Sequence, residues 1–305
     1  MFPFTLKQLR TFKALATEKT FNETAKIIYL SQPSISRQIK LLEKNLKIKL
    51  IDRNKNKIIL TENGQLFLQY SERILALCEE SCRALIDLKN GERGNLIIGT
   101  DSIIGIYIIP KVLTLFTPDY PGISLKIRIN STQLIIQHIL NQKMNIGIIE
   151  DKIPKQKKNF LSIEQFIEDE IKLIISKFHP FAKKRKINKN DLYQLNFITL
   201  HANSTIKKFI NKTLQFNNVE TKQLKTIMEL NSIEGIKTAV SLGLGVAFVS
   251  LSAIEKEINL KTIKTLEIKN MKMIRKLSLI TNPKSYESKP FKLFYTQLKS
   301  LKNNL

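Results

Sequence analysis

Gln32, Ser34, Ser36, Arg37, Gln38 and Lys40 crowd into a single short segment, and each offers a compact or planar hydrogen-bonding group. Such side chains on one helical face can meet the donors and acceptors at the floor of a DNA major groove. Glutamine suits adenine and arginine suits guanine, and each good bidentate pair contributes about 1–3 kcal/mol of discrimination. Lys40 suits a phosphate, a contact that positions without specifying a base. This is recognition chemistry. No Ser/His/Asp or Cys/His set has motif support, so no catalytic residue is assigned and no enzyme is expected.

The elements around these side chains are legible as well. Ile35, Ile39, Leu42 and Leu46 recur at spacings of 4, 3 and 4, which predicts a buried stripe beneath the polar face. Ser31 is placed to cap this helix, and Pro33 sits in its first turn, where a missing N–H costs nothing. Phe21, Ala25 and Ile28 give the preceding segment its apolar side. Thr5 can cap a first helix with Leu6, Leu9, Phe12 and Ala16 on one face. Helix, tight turn and helix over 20–43 make a helix-turn-helix, centred on 21–40. Two β-like runs, 50–53 and 57–60, flank Asn54-Lys55-Asn56 and predict a hairpin wing. Its Arg53, Lys55 and Lys57 have the reach of a minor groove or its rims.

Thr61 then opens a long helix in which Leu66, Tyr70, Ile74, Leu77, Ser81, Ala84 and Leu88 recur at spacings of 3 and 4. One apolar seam on a helix of that length predicts a dimerisation helix. Residues 90–94, Asn-Gly-Glu-Arg-Gly, form the hinge that ends it. Beyond Gly94, short and wholly apolar runs (96–98, 125–129, 146–149, 171–175, 197–200, 246–249, 277–280) alternate with helical patterns. That texture predicts a mostly parallel sheet covered on both faces, in two α/β lobes. The expected division is 1–60 for the winged helix-turn-helix, 61–90 for the linker helix, and 91–305 for the two-lobed domain. Lobe I would comprise 91–161 and 267–305, and lobe II 162–266.

Three polar loops fall where strands meet helices: Thr100-Asp101-Ser102, Ser131-Thr132, and His201 with Asn203, Ser204 and Thr205. Exposed N–H groups and hydroxyls supplied together favour a small anion, an anionic metabolite being the expected ligand. Each residue could equally serve as a plain helix cap. His138 reads as a surface residue and His179 as a turn residue. The run Glu168-Asp169-Glu170 reads as solvated surface, and no metal or cofactor is expected.

The net charge of +24 invites a polyanionic partner, but 41 of the 50 basic residues are lysine, and an A/T-rich codon bias alone would enrich Lys, Ile and Asn. Distribution separates the two causes. Residues 1–60 hold 13 basic and 4 acidic residues, whereas 61–90 hold 3 and 5. The first module is therefore basic in its own right. No membrane span or secretion signal is expected, and Cys78 and Cys82 read as reduced thiols.

The order of these parts resembles the LysR-type transcriptional regulators along the whole chain. The matching residues are LKQLRTF at 6–12, Ala25, SQPSISRQIKLLE at 31–43, Asp52-Arg53, LTENG at 60–64 and FHPFA at 178–182. MELNSIEGIKTAVSLGLGVAFVS at 228–250 is similar to the subgroup that controls carbon-fixation genes. The chain departs from the family at Lys47, where glycine is usual, at Thr24, where alanine is usual, and at Ile51, where phenylalanine is usual. The resemblance implies a periplasmic-binding-protein-like effector domain and a dimer that pairs into a tetramer on bent promoter DNA. It also implies a small co-inducer held near 100–102 and 131–132, contact with RNA polymerase, and a place in the plastid stroma or a bacterial cytoplasm. A solute-binding receptor and an α/β enzyme with an appended helical domain are the competing readings.

Overall fold

The computed structural model describes residues 2–54, 57–90, 93–150, 153–202 and 204–301; for 53, 54, 57, 83, 87–90 and 301 it describes the backbone alone. Helix α1 (Leu6–Glu18) begins at a capping box. The Thr5 hydroxyl accepts the Gln8 N–H, and the Gln8 side chain accepts the Thr5 N–H. Leu9, Phe12 and Leu15 are its buried apolar residues, whereas Leu6, expected on that face, is 46 % exposed. Helix α2 (Phe21–Ile27) is capped by Thr20 and buries Thr24, whose hydroxyl donates back to the Thr20 carbonyl at 2.6 Å. Helix α3 (Gln32–Leu46) starts at Ser31 and stops at Lys47, which takes a left-handed conformation with φ 56°. Ile35, Ile39 and Leu42 from α3 join Phe12, Leu15, Leu50, Ile51 and Ile58 in one core.

Strands β1 (Ile51–Asn54) and β2 (Lys57–Leu60) pair antiparallel as the wing. Helix α4 (Glu62–Asn90) follows, with the Thr61 hydroxyl accepting the Gly64 N–H at 3.0 Å. A Cβ on Gly64 would lie 2.0 Å from the Leu50 carbonyl oxygen, so only glycine lets α4 start this close to the wing.

The remaining elements are β3 (Gly94–Thr100), α5 (Ile109–Phe116), β4 (Ile123–Ile129), α6 (Thr132–Leu140), β5 (Ile146–Glu150), α7 (Lys155–Lys158), β6 (Ser162–Ser176), β7 (Lys186–Ile187), β8 (Asn196–Leu200), α8 (Thr205–Phe216), β9 (Lys225–Leu230), α9 (Ile233–Ser241), β10 (Ala247–Ser250), α10 (Glu255–Asn259), β11 (Ile263–Ile268), β12 (Met273–Thr281) and α11 (Lys289–Leu301). A π-helical turn at Ile104–Ile108 runs directly into α5, so 102–116 form one continuous helix. Strands β4, β3 and β5 are parallel, as are β8 and β9.

The sheet is not mostly parallel, because the chain must pass between lobes and return. It does so on two long antiparallel strands. β6 and β12 pair from Ile171 with Met273 to Ser162 with Thr281, and β10 and β11 also run antiparallel to β6. Phe166, Leu277 and Leu279 lie in the lobe I core, while Ile171, Met271 and Met273 lie in the lobe II core. Strand β6 thus passes from one core to the other between Ile167 and Ile171, and β12 between Met273 and Leu277, inside the strands. Continuous strands carry no loop or composition change to mark such a boundary.

Candidate DNA interface and inter-lobe cleft

In α3 the buried stripe faces α1, and the opposite edge faces outward. Gln32, Pro33, Arg37 and Lys40 are exposed; Ser34 and Ser36 are half-buried. Gln38 differs from its neighbours. Its Oε1 accepts the Thr11 hydroxyl at 2.8 Å, and Thr11 is buried, so Gln38 ties α3 to α1. The sequence pattern missed this because Thr11 reads as one more polar helix residue. It also missed Tyr29, which is 94 % exposed at φ 53° in the turn that leads to α3. The backbones of Arg53 and Lys57 pair across the wing with Ile58 and Asn54, whereas Lys55 lies outside the described residues.

Along α4, Leu66, Tyr70 and Leu77 are 55, 53 and 58 % exposed, and Ile74 and Ala84 are half-buried. Leu88 is described by its backbone alone. Ser71, Leu75 and Ala76 are buried on another side of the helix, so the expected seam is a separate apolar stripe left open. Polar contacts fix α4 to lobe I. Glu72 pairs with Lys143 at 2.8 Å and accepts the Asn141 amide at 3.2 Å. Glu80 accepts the Tyr286 backbone N–H.

The second candidate site is a cavity of about 210 Å³ between the lobes. Asp101, Ser102, Ile106 and Tyr107 form the lobe I wall, and His201, Ser204, Thr205 and Ser232 stand opposite. Three helix N-termini converge on it: that of 102–116, that of α8 and that of α9. Their dipoles favour an anion, although the Ile104 and Gly235 N–H groups are already taken by Asp101 and Ser232, and Asp101 and Glu234 add two carboxylates to the lining. Two of the three expected loops thus meet. Ser131 and Thr132 stand outside this wall, where the Ser131 hydroxyl accepts the Leu134 N–H and caps α6. Thr100 is fully buried, and Asn203 lies outside the described residues. The sequence reading overlooked Tyr107, Asn231, Ser232 and Glu234. A usable signal existed at Asn231-Ser232, which repeats the pattern of strand end, polar pair and helix start seen at 201–205.

Two ion networks back the cleft. Arg275 is fully buried on β12. Its Nε and Nη2 donate to Asp169 at 3.1 and 2.7 Å, and its Nη1 donates to Asp101 at 2.8 Å. Burial opposes its charge, yet Asp101 and Asp169 hold its pKa above the ordinary arginine value. Asp169 also accepts the Ser250 hydroxyl. The acidic run at 168–170 is therefore not simply solvated surface. It lies on a strand, where alternate side chains face opposite sides, and Asp169 points inward. Asp101 additionally caps the 102–116 helix by accepting the Ile104 N–H at 2.9 Å. The second network crosses the cleft. Tyr107 of lobe I donates to Glu234 of lobe II, and the buried Lys237 pairs with Glu234 and Glu257 at 2.8 and 3.0 Å. Burial and Glu234 together raise the Tyr107 pKa. Burial acts against the Glu234 charge, but Lys237 and Tyr107 outweigh it and leave that carboxyl below its ordinary value. Lys111 and Glu255 form a further ion pair between the lobes. No cluster that could hold a metal ion occurs among the described residues.

A basic reading head, an open-seamed helix and a hinged two-lobed cleft together define a ligand-responsive transcriptional regulator. Residues 6–65 match the family model for bacterial regulatory helix-turn-helix proteins of the lysR family, and 89–302 match the LysR substrate binding domain. The chain belongs to the LysR family of transcriptional regulators, not to a family of enzymes. It is 60 % identical over 305 residues to a protein of Phaeodactylum tricornutum named probable RuBisCO transcriptional regulator, covering all of this chain and 99 % of that one. A protein of the same name from Cyanidium caldarium is 46 % identical, covering 99 % and 96 %. Among solved structures, full-length CbnR complexed with its target DNA is similar at a TM-score of 0.68 and 18 % identity, covering 97 % of this chain and 99 % of that one.

Proposed function

We propose that this regulator binds promoter DNA upstream of rubisco genes in the plastid stroma and that a small anionic metabolite in the inter-lobe cleft changes how it binds. The observation that carries the DNA reading is the outward edge of α3, where Gln32, Arg37 and Lys40 stand exposed above the stripe of Ile35, Ile39 and Leu42. The target comes from the names borne by relatives of 46–60 % identity over nearly the full length. Gln32, Ser34, Ser36 and Arg37 address bases; Lys40, Arg53, Lys55 and Lys57 address backbone or minor groove. The open seam of α4 pairs two chains, so that two reading helices meet two half-sites, and contacts between effector domains build a tetramer. The bound assembly bends DNA and meets RNA polymerase.

In the cleft, Asp101, Ser102, His201, Ser204 and Thr205 surround the metabolite, with Tyr107 and Ser232 added. A ligand moves the lobes only if it prefers one arrangement over the other. The test is selection of fragments from the host genome by the purified protein, with and without phosphorylated sugars or nicotinamide nucleotides. The expected result is enrichment of the rubisco promoter, altered by at least one metabolite. Enrichment elsewhere overturns the target, and indifference to every metabolite overturns the sensing role.

A further inference from the structure

Between α8 and the β8–β9 sheet lies a cavity of about 280 Å³, separate from the inter-lobe cleft. Phe197, Ile198, Ile210, Leu214, Leu224 and Phe248 supply its apolar wall, and the two phenyl rings stack at 5.7 Å. Polar groups also line it. Lys207 Nζ donates to Thr199 Oγ1 at 3.1 Å and to Glu229 at 2.9 Å, and Asn211 and Lys222 line the same space. An ammonium carries three N–H groups, so Lys207 retains one beyond these two partners. Lys207 is charge-paired with Glu229, so the uncompensated positive charge on the cavity is that of Lys222; among the described lining residues none is acidic, and the cavity favours an anionic head over a cationic one. Its volume is close to the lower end of the range for small-molecule sites, roughly 300–1,000 Å³.

We propose that lobe II holds a second small-molecule site in this cavity and that it takes a monocarboxylate with an apolar body. The carboxylate meets Lys207, Asn211 and Lys222, and the body lies against Phe197, Ile210 and Phe248. The site is built to speak to the cleft. Leu200 lines both spaces. Helix α8 gives Thr205 and Ile206 to the cleft and Lys207, Ile210 and Leu214 to the cavity. An occupant that shifts α8 therefore shifts one wall of the cleft. This coupling rests on the cleft being the metabolite site; occupancy of the cavity does not.

The test uses benzoate as probe on the full chain, read by titration calorimetry. A ligand of nine non-hydrogen atoms at about 0.3–0.5 kcal/mol per atom binds with a Kd of about 1–10 mM. Benzyl alcohol, which keeps the ring and lacks the charge, should bind about tenfold more weakly, as should benzoate to Lys207→Met or to the cavity-filling Ile210→Phe. Asn211→Phe fills the space from its half-buried rim and serves if Ile210→Phe fails to fold. Inorganic phosphate, the cleft probe, should bind these variants as it binds the parent. No saturable benzoate binding, or binding indifferent to all of these variants, overturns the proposal. So does benzoate binding that is lost in the cleft variant Thr205→Val and kept in Lys207→Met, since the probe then sits in the cleft. Failure of phosphate alone overturns the cleft reading and leaves the cavity site standing.

Discussion

Thr11 donates its hydroxyl proton to Gln38 Oε1 at 2.8 Å, joining the first helix to the reading helix from the inside. Thr11 is almost wholly buried, so its hydroxyl has no water to turn to. Removing the partner of a buried polar group costs about 1–3 kcal/mol. Gln38→Ala should therefore lower the urea midpoint and weaken binding to all DNA sequences alike. Arg37 is exposed, and Arg37→Ala should leave the midpoint nearly unchanged while relaxing the choice of sequence. Denaturation curves and binding-site selection on the two variants check this division; matching profiles for both would refute it.

Lys47 ends α3 in the left-handed region at φ 56°. A side chain there costs about 1–2 kcal/mol per residue relative to the right-handed form, a penalty glycine escapes. Lys47→Gly should raise the stability of the reading head by roughly 1 kcal/mol. The urea midpoint of the full chain measures it, and a fall would show that the lysine contributes more elsewhere than its backbone costs.

The helices and the wing of the first 90 residues were legible because caps, stripes and turns are local. Thr5, Thr61 and the stripe Ile35, Ile39, Leu42 announce themselves within a few positions. The partners of Arg275 do not. Asp101 and Asp169 stand 174 and 106 residues away in sequence, and only the exchange of β6 and β12 between lobes brings them together. The cleft was half legible for the same reason. Loops at strand ends could be picked out one by one, but which of them face each other depends on the sheet order. Thus Asp101 and Ser102 met His201, Ser204 and Thr205, and 131–132 stayed outside.

Arg275 also makes a prediction about stability. Arg275→Met strands the buried Asp169 carboxylate, a loss of about 3–5 kcal/mol. Arg275→Met combined with Asp169→Asn should recover most of it, because the fully buried charge is then gone and only Asp101, which is partly exposed, has lost its partner. Calorimetric or urea unfolding of the three proteins tests this. A double variant no better than the single would place the cost in packing and not in charge.

His179 Nδ1 accepts the Phe181 N–H at 3.0 Å, a bond that only the neutral ring can make. Burial lowers its pKa below the ordinary imidazole value. The folded pKa lies under the unfolded one, so as pH falls the unfolded chain takes up the proton first. The contribution is complete above about pH 6.5 and is lost as pH drops from there through the folded value. His138 shifts the same way, through burial and then Lys143. The urea midpoint should therefore fall between pH 7.5 and 5.5. His179→Asn, which keeps a capping acceptor without titrating, should show a shallower fall. An equal fall in both proteins would remove His179 from the cause.

The central claim is that the basic module at 1–60 reads duplex DNA. Its most direct measurement is competition between a rubisco promoter fragment and random duplex of equal length for the full chain, across a salt series. The account predicts preference for the promoter. It also predicts an affinity that falls by about 10³-fold or more between 50 and 200 mM salt, as several phosphate contacts require. Equal binding to both duplexes at every salt concentration, with and without the candidate metabolites, would contradict it.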